Sequence, residues 1–279
     1  MMGINKNVEI RCGEKYTLKL GTKTYIMGIL NITPDSFSDG GDFFSIDSAI
    51  SQARRMAAEG ADIIDVGGES TRPGSTEIDC GEELNRVMPV VERLLKEVDV
   101  PVSVDTYKAA VAEEVLRAGA HIINDVWGLT KDKEMTNVLA RHKAPVIVMH
   151  NQIGIHYDGD IMKEIKDFFS KSIQKALDAG VEKNNIIIDP GIGFGKNPEQ
   201  NMEVLARLDE LQELQLPILL GTSRKSMIGK ILDLPPKDRV EGTLATTVIG
   251  IMKGVDIVRV HDVQQNLRAA KVTDAILRS

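Results

Sequence analysis

The sequence predicts an α/β fold: a single (β/α)8 TIM barrel over residues 1–279, with a short β-hairpin within residues 1–22 capping its lower end. Three observations lead there. Short apolar runs alternate with longer amphipathic segments, as β-then-α units of a parallel sheet with right-handed crossovers require. About eight such units follow one another, and polar residues close nearly every apolar run. The length, 279 residues, suits one barrel, which uses roughly 250.

The hairpin comes first, as strands Val8–Cys12 and Tyr16–Leu20 around the turn Gly13-Glu14. The apolar runs are Tyr25–Leu30, Ala61–Val66, Val100–Val104, His121–Ile123, Pro145–Met149, Ile186–Ile188, Pro217–Leu220 and Val255–Val260. Near-continuous apolar runs of this length fit strands buried on both faces. Helical patterns over Ser48–Glu59, Glu82–Lys96, Lys108–Ala118, Ile161–Ala179, Glu199–Glu213 and Val263–Leu277 lie between or after them. An open doubly wound sheet meets the same periodicity and stays open as an alternative. No second domain, low-complexity tract or shorter repeat is visible.

Hydrophobic residues make up 42% of the chain, charged residues 27% and aromatic residues only 4%. The core must therefore rest on branched aliphatic side chains, as barrel interiors do. A net charge of -7 and the lack of a Lys/Arg-rich arm argue against nucleic acid as a partner. Cys12 and Cys80 form no framework of paired cysteines, which points to a reducing cytoplasmic setting. No leader-like core opens the chain, and no run approaches the ~20 apolar residues of a membrane helix.

The informative residues sit where the runs end. These are Asn31, the segment Gly67-Gly68-Glu69-Ser70-Thr71-Arg72, Asp105, Asn124-Asp125, His150, Asp189, Gly221-Thr222-Ser223-Arg224-Lys225, and Arg259 with His261. In a parallel barrel all of them reach the C-terminal face, where such enzymes keep their active sites. A single Asp or Asn there reads as a helix N-cap. Eight polar ends in a row read as a site.

Arg259 and His261 are two residues apart on one strand and share a face. A buried arginine needs a partner, so either a structural salt bridge or an anion held jointly with His261 and Lys225 accounts for it. Asp105 and Asp189 face one mouth either as general acid and base or as acceptors for the N–H edge of a flat heterocycle. The glycine-rich segment Gly191–Lys196 has GxGxG spacing, which fits neither a dinucleotide nor a Walker loop. Its glycines suit a tight turn near a ligand. Loops 33–45 and 67–75 are small-residue segments at the mouth, readable as lids or as plain surface. The five histidines show no zinc spacing, and a magnesium ion held by one or two oxygens leaves almost no trace in sequence. Trp127 reads as packing.

At this point two long segments resemble the signatures of dihydropteroate synthases, the pterin-binding TIM-barrel family. The first is Met27-Gly28-Ile29-Leu30-Asn31-Ile32-Thr33-Pro34-Asp35-Ser36-Phe37-Ser38-Asp39-Gly40-Gly41, and the second is Asp65-Val66-Gly67-Gly68-Glu69-Ser70-Thr71-Arg72-Pro73-Gly74. Shorter matches continue through Ser103–Thr106, Ile123–Asp125, Met149-His150, Asp189–Gly191, Ser223–Ser226 and Arg259–Asp262. Ile192 and Thr222 depart from residues common in the family, without loss of a donor or acceptor.

The resemblance implies a transferase of folate biosynthesis that joins 6-hydroxymethyl-7,8-dihydropterin diphosphate to p-aminobenzoate and releases pyrophosphate. It implies that Asn31 ligates Mg2+, that Asp105, Asn124, Asp189 and Lys225 hold the pterin, and that Asn31, Arg72, Arg259 and His261 take the diphosphate. Thr71, Pro73, Phe194, Ser223 and Lys225 would line the p-aminobenzoate pocket, where sulfonamides would compete. Asp35, Ser36 and Phe37 would lie in a mobile first loop. The resemblance further implies a homodimer through barrel helices. In the expected SN1-like reaction the C–O bond breaks early and Asp105 and Asp189, both ionised, share the charge of a pterin methyl cation. Asp105, Asp189, Lys225, Arg259 and His261 thus form the expected catalytic set. The rivals are a methyltransferase acting between a methylfolate and a corrinoid protein, which would have little use for Arg259 and His261 as an anion site, and a pterin-binding barrel without catalysis.

Overall fold

The structure, a computed structural model, describes residues 8–32, 46–70 and 76–278. Strands β1 (Val8–Cys12) and β2 (Tyr16–Leu20) pair antiparallel, with Val8 opposite Leu20. The remaining strands are β3 (Tyr25–Asn31), β4 (Ile63–Gly67), β5 (Val102–Asp105), β6 (Ile122–Asp125), β7 (Val146–Met149), β8 (Ile186–Asp189), β9 (Leu219–Leu220) and β10 (Ile257–Val260). They form one parallel sheet in the order β8-β7-β6-β5-β4-β3-β10-β9. Its two edges meet where Ile188 bridges Ile218 and donates its N–H to Pro217 O at 2.9 Å. The sheet thereby closes into the expected barrel, and the open-sheet alternative falls.

Side-chain alternation sorts the strand residues into two populations. Ile26, Leu30, Ile64, Val66, Val104, Ile123, Val148, Ile188 and Val258 point outward and join the apolar layer beneath the helices. The inward set begins, at the lower end, with Tyr25, Met27, Ile63, Ile122, Ile147, Ile187, Leu219 and Ile257. Ile10, Cys12, Leu18 and Leu20 of the hairpin pack against that layer and plug the barrel from below. Tyr16 meets His121 edge-on at 5.1 Å. The hairpin is where the sequence places it, apart from residues 1–7, which lie outside the described segments.

The outer layer consists of α1 (Ile46–Ala58), α2 (Cys80–Glu97), α3 (Ala109–Ala118), α4 (Met135–His142), α5 (Ile161–Asp178), α6 (Pro198–Ala206), α7 (Ser226–Leu232), α8 (Val240–Met252) and α9 (Val263–Leu277). The α1 stripe Ala49, Ile50, Ala53 and Met56 is fully buried, as a core-facing helix requires. Asp79 and Asp160 cap α2 and α5 by accepting N–H bonds three residues on, each at 2.8 Å. Asn197 and Gln200 form a capping box at α6, with Pro198 in its first turn. That helix is shorter than the pattern over Glu199–Glu213 implies, because the chain tightens into a 3-10 helix at Leu208–Leu214.

The helical patterns read in the sequence do not include α4, α7 and α8. In α8 the buried positions include Thr243, Thr246 and Thr247. Their hydroxyls are satisfied, Thr246 by Thr222 and Thr247 by Asn266, both at 2.7 Å. Gly250 lets α8 lie close to β9, since a Cβ there would meet Leu220 Cδ2 at 2.5 Å.

Candidate active site

Above the apolar floor the inward positions turn polar. The strands run one or two residues past the apolar stretches, so Asn31, Asp105, Asn124 and Asp189 are strand residues and not helix caps. Gly67 pairs with Asn31 on one side and Asp105 on the other, and Asp105 pairs with Asn124. Four neighbouring strands therefore present these residues at one level.

A charge network spans this level. Arg259 Nε donates to Asp65 Oδ2 at 2.6 Å and Arg259 Nη2 donates to Asp105 Oδ2 at 3.0 Å. Asn124 Nδ2 donates to the same Asp65 oxygen at 3.1 Å. Asp65 is wholly buried. Its carboxylate is thus a node that fixes both a cation and a carboxamide. The salt-bridge reading of Arg259 holds, with Asp65 and Asp105 as its partners. They lift its pKa further, more than offsetting the burial that disfavours its charge.

The second oxygens of Asp65 and Asp105, and the Ser103 hydroxyl, are buried with no hydrogen-bond partner among the described residues. Unmatched buried acceptors are costly. They call for N–H groups supplied by a ligand. Burial pushes the Asp105 carboxyl up to about 8, with Arg259 pulling the other way and the charges of Asp65, Glu83 and Asp125 adding to the rise. Burial likewise raises Asp189, opposed by the Gly191 N–H and by Lys225, Arg259 and Lys196. For Asp105 the expectation of an ionised acid is corrected in the ligand-free barrel. Burial is the largest cause in both cases, and the nearby cations oppose it.

The opposite wall is built by β8, the turn after it, and the segment after β9. Asp189 Oδ1 accepts the Gly191 N–H at 2.7 Å. Gly221 stands between the two walls, its absent Cβ lying 3.9 Å from both Arg259 Cβ and Asp189 Oδ2. Lys225 Nζ lies 4.0 Å from the Phe194 ring centre, and its stem passes close over Gly193. Phe194 packs with Tyr107, Val126, Trp127 and Met149 in a small apolar patch, consistent with the packing role expected of Trp127.

His261 follows β10 and is held by Ser223. The His261 N–H donates to Ser223 Oγ at 3.1 Å, and the Ser223 hydroxyl and His261 Nδ1 share a hydrogen bond of 2.9 Å. Ser223, expected in the p-aminobenzoate pocket, is engaged in orienting His261. Its neighbour Arg224 forks onto Asp262 at 3.0 and 2.6 Å, which ties the segment after β9 to the end of β10.

Not every polar residue at this end faces inward. His150 packs edge-on against Phe168 at 4.8 Å, outside the barrel, and burial drives its pKa down to about 3. Asp125 accepts the Trp127 and Leu129 N–H groups at 2.8 and 2.9 Å, again outside. Thr71, Arg72, Pro73, Asp35, Ser36 and Phe37 lie outside the described residues. Glu69 is gripped by Lys108 and by the Tyr107 hydroxyl at 3.1 Å, and Lys108 also pairs with the buried Glu83.

Two residues that the sequence reading assigned no role stand out, Asp65 and Lys196. Asp65 had a legible signal, a lone carboxylate inside the apolar stretch Ile63–Gly67. Lys196 had none, since nothing in GxGxGK spacing announces a buried ammonium.

The family described as pterin binding enzyme matches residues 27–261. A dihydropteroate synthase of Clostridium beijerinckii is 56% identical over 260 residues, covering 93% of this chain and 96% of that one. The fold is similar to a Clostridium difficile dihydropteroate synthase solved in the presence of pteroic acid, with TM-score 0.92, 61% identity, and 94% and 100% of the two chains covered. It is also similar to a Yersinia pestis dihydropteroate synthase in a sulfonamide drug complex, with TM-score 0.91, 45% identity, and 97% and 100% covered. With a barrel closed over buried acceptors and a family match across most of its length, this chain belongs to the dihydropteroate synthases of the pterin-binding enzyme family.

Proposed function

We propose that the chain condenses 6-hydroxymethyl-7,8-dihydropterin diphosphate with p-aminobenzoate to 7,8-dihydropteroate and pyrophosphate, in the cytoplasm, as a step of folate biosynthesis. The observation that carries this is the row of buried, unmatched acceptors at Asp65 and Asp105 beside Asn124 and Asp189. The 2-amino and ring N–H edge of a pterin supplies the donors they lack. Those donors favour the ionised form of Asp105, so pterin binding expels its proton. Lys225 approaches the ring from the opposite wall.

The diphosphate is taken by Arg259, His261 and Arg72 at the mouth. Asn31 Oδ1 and Asp105 Oδ2 lie 3.6 and 3.9 Å from the Cβ that Gly67 lacks, a gap lined by hard oxygen donors of the kind Mg2+ prefers. Asn31 would hold the ion, which would neutralise charge on the leaving group. Among the described residues no cluster of three or more His, Cys, Asp or Glu could cage a metal, so the substrate's phosphates would complete its shell. The C–O bond then breaks with its electron pair leaving on the diphosphate. The aniline nitrogen attacks the resulting pterin methyl cation and loses a proton. Asp105 and Asp189, ionised once the pterin is bound, stabilise the cation. Thr71, Pro73, Phe194, Ser223 and Lys225 border the p-aminobenzoate, and sulfonamides compete there. Asp35, Ser36 and Phe37 belong to the loop that excludes water.

We also propose a homodimer through α8 and α9. Ile249, Met252, Val272 and Ile276 are exposed on these helices, and Leu244, Val248 and Ala269 line a groove between them. A contiguous apolar face of this kind is an interaction surface. No helix among the described residues is long and apolar enough to cross a membrane.

Incubating the protein with the pterin diphosphate, Mg2+ and p-aminobenzoate, and following pyrophosphate and dihydropteroate together, tests the reaction. Pyrophosphate release without dihydropteroate, or no release at all, would reject it.

A further inference from the structure

The turn between β8 and α6 has two lysines on opposite sides. Lys225 lies over its upper face, above Gly193 and Phe194. Lys196 passes beneath and is only 7% exposed. Its ammonium reaches Gly191 O at 3.1 Å, Phe194 O at 3.0 Å and His150 Nδ1 at 2.9 Å. Three acceptors for three N–H groups is a complete shell for an ammonium. His150 Nδ1 must be unprotonated to accept, which agrees with the low pKa of that ring.

The turn itself has one backbone bond of its own, from the Phe194 N–H to Gly191 O at 3.0 Å. Gly191, Gly193 and Gly195 all take positive φ, at 68°, 85° and 57°. Such glycines permit the path without enforcing it. Bonds from outside the turn add to that one. Asn201 Oδ1 accepts the Gly193 N–H at 2.6 Å, the Tyr157 hydroxyl donates to Gly195 O at 3.0 Å, and Lys196 ties Gly191 to Phe194 from below. The Lys196 bonds add a second link, from below, to the Phe194 N–H bond to Gly191 O at 3.0 Å, which joins the residue that donates to Asp189 with the residue that lies under Lys225.

We infer that Lys196 is a positioning residue of the pterin site, a buried staple that sets the Gly191–Phe194 turn and through it the places of Asp189 and Lys225. The inference rests on the reading of Asp189 and Lys225 as pterin contacts. Burial lowers the Lys196 pKa to about 7, with Asp189 opposing and Lys225 adding to the fall. A group kept at that cost, with all three bonds inside one turn and its neighbour strand, has a local task.

Lys196→Met keeps the stem and removes the ammonium. Calorimetric binding of the pterin diphosphate to this variant should weaken about ten- to hundredfold, the scale of one lost charge-assisted hydrogen bond. Lys196→Ala opens space for a small amine, so added methylammonium should tighten its pterin binding and leave the parent protein unchanged. A purely structural lysine would give no such ligand-specific rescue. If Lys196→Met lacks a cooperative melt, Lys196→Gln, which retains a donor for one carbonyl, carries the test with the same direction and a smaller effect. A folded variant that binds within about twofold of the parent, or Lys196→Ala indifferent to methylammonium, overturns the inference. A parent protein that fails to bind the pterin diphosphate overturns the reading of the site instead.

Discussion

Substituting Asp65 by Asn tests the charge network most directly. The Asp65 carboxylate is fully buried, accepts from Arg259 Nε at 2.6 Å and from Asn124 Nδ2 at 3.1 Å, and lies beside Asp105 in the same field. An amide of the same shape can satisfy one of these donors but carries no charge. Removing one partner of a buried ion pair costs roughly 3–5 kcal/mol. Because Arg259 keeps its bond to Asp105, the lower part of that range, about 3 kcal/mol, applies. For a chain of this size each kcal/mol moves the melting temperature by about 2 °C, so a fall of about 6 °C follows. A second effect runs in the opposite sense for function. Losing the Asp65 charge removes one of the influences that raise Asp105, so the Asp105 pKa falls. Thermal melts at pH 7 read the first effect, and the pH midpoint of pterin binding reads the second. A melting temperature within about 1 °C of the parent, together with an unchanged midpoint, would refute the network as described.

Three further outcomes are expected. Burial raises Asp105 to about 8 from an unfolded value near 3.8, so the ligand-free fold gains stability below that lower value and loses it as pH rises through 8. Because pterin binding needs the ionised acid, pterin affinity should rise up to tenfold per unit between about pH 6 and 8 and then level off, and a flat profile by calorimetry would count against it. Asn31→Ala should raise the Mg2+ concentration needed for half-maximal pyrophosphate release by roughly tenfold, as loss of a metal-ordering group does, with pterin binding in the absence of Mg2+ unaltered. Ile276→Glu places a charge on an exposed apolar position of α9 and should convert the proposed dimer to monomer in sedimentation, whereas a parent that sediments as a monomer, or a variant that sediments as the parent does, would refute the α8–α9 interface.

The sequence carried the barrel because strand and helix periods differ and the apolar runs are long. It also carried the level of the site, since a polar residue at each strand end is visible without coordinates. What it could not carry is direction. His150 and Asp125 end strands as Asp105 and Asp189 do, yet they face the helices, and only the alternation along each strand decides that. The charge state of Asp105 was equally hidden, because it depends on which cations reach the lumen from β10. Helix α8 escaped because its buried face uses threonines satisfied by distant partners. Lys196 escaped because burial of an ammonium depends on two carbonyls and a ring brought together by the fold.

The hairpin plug has a consequence for the order of events. Ile10, Leu18 and Leu20 seal the lower end against a full layer of apolar side chains, so among the described residues the lumen opens at the upper end. Whatever binds on Asp65, Asp105 and Asn124 sits at the blind end of a single-ended tunnel. With the pterin held as proposed, it arrives before the amine that covers it, and pyrophosphate and the joined product leave past the same rim.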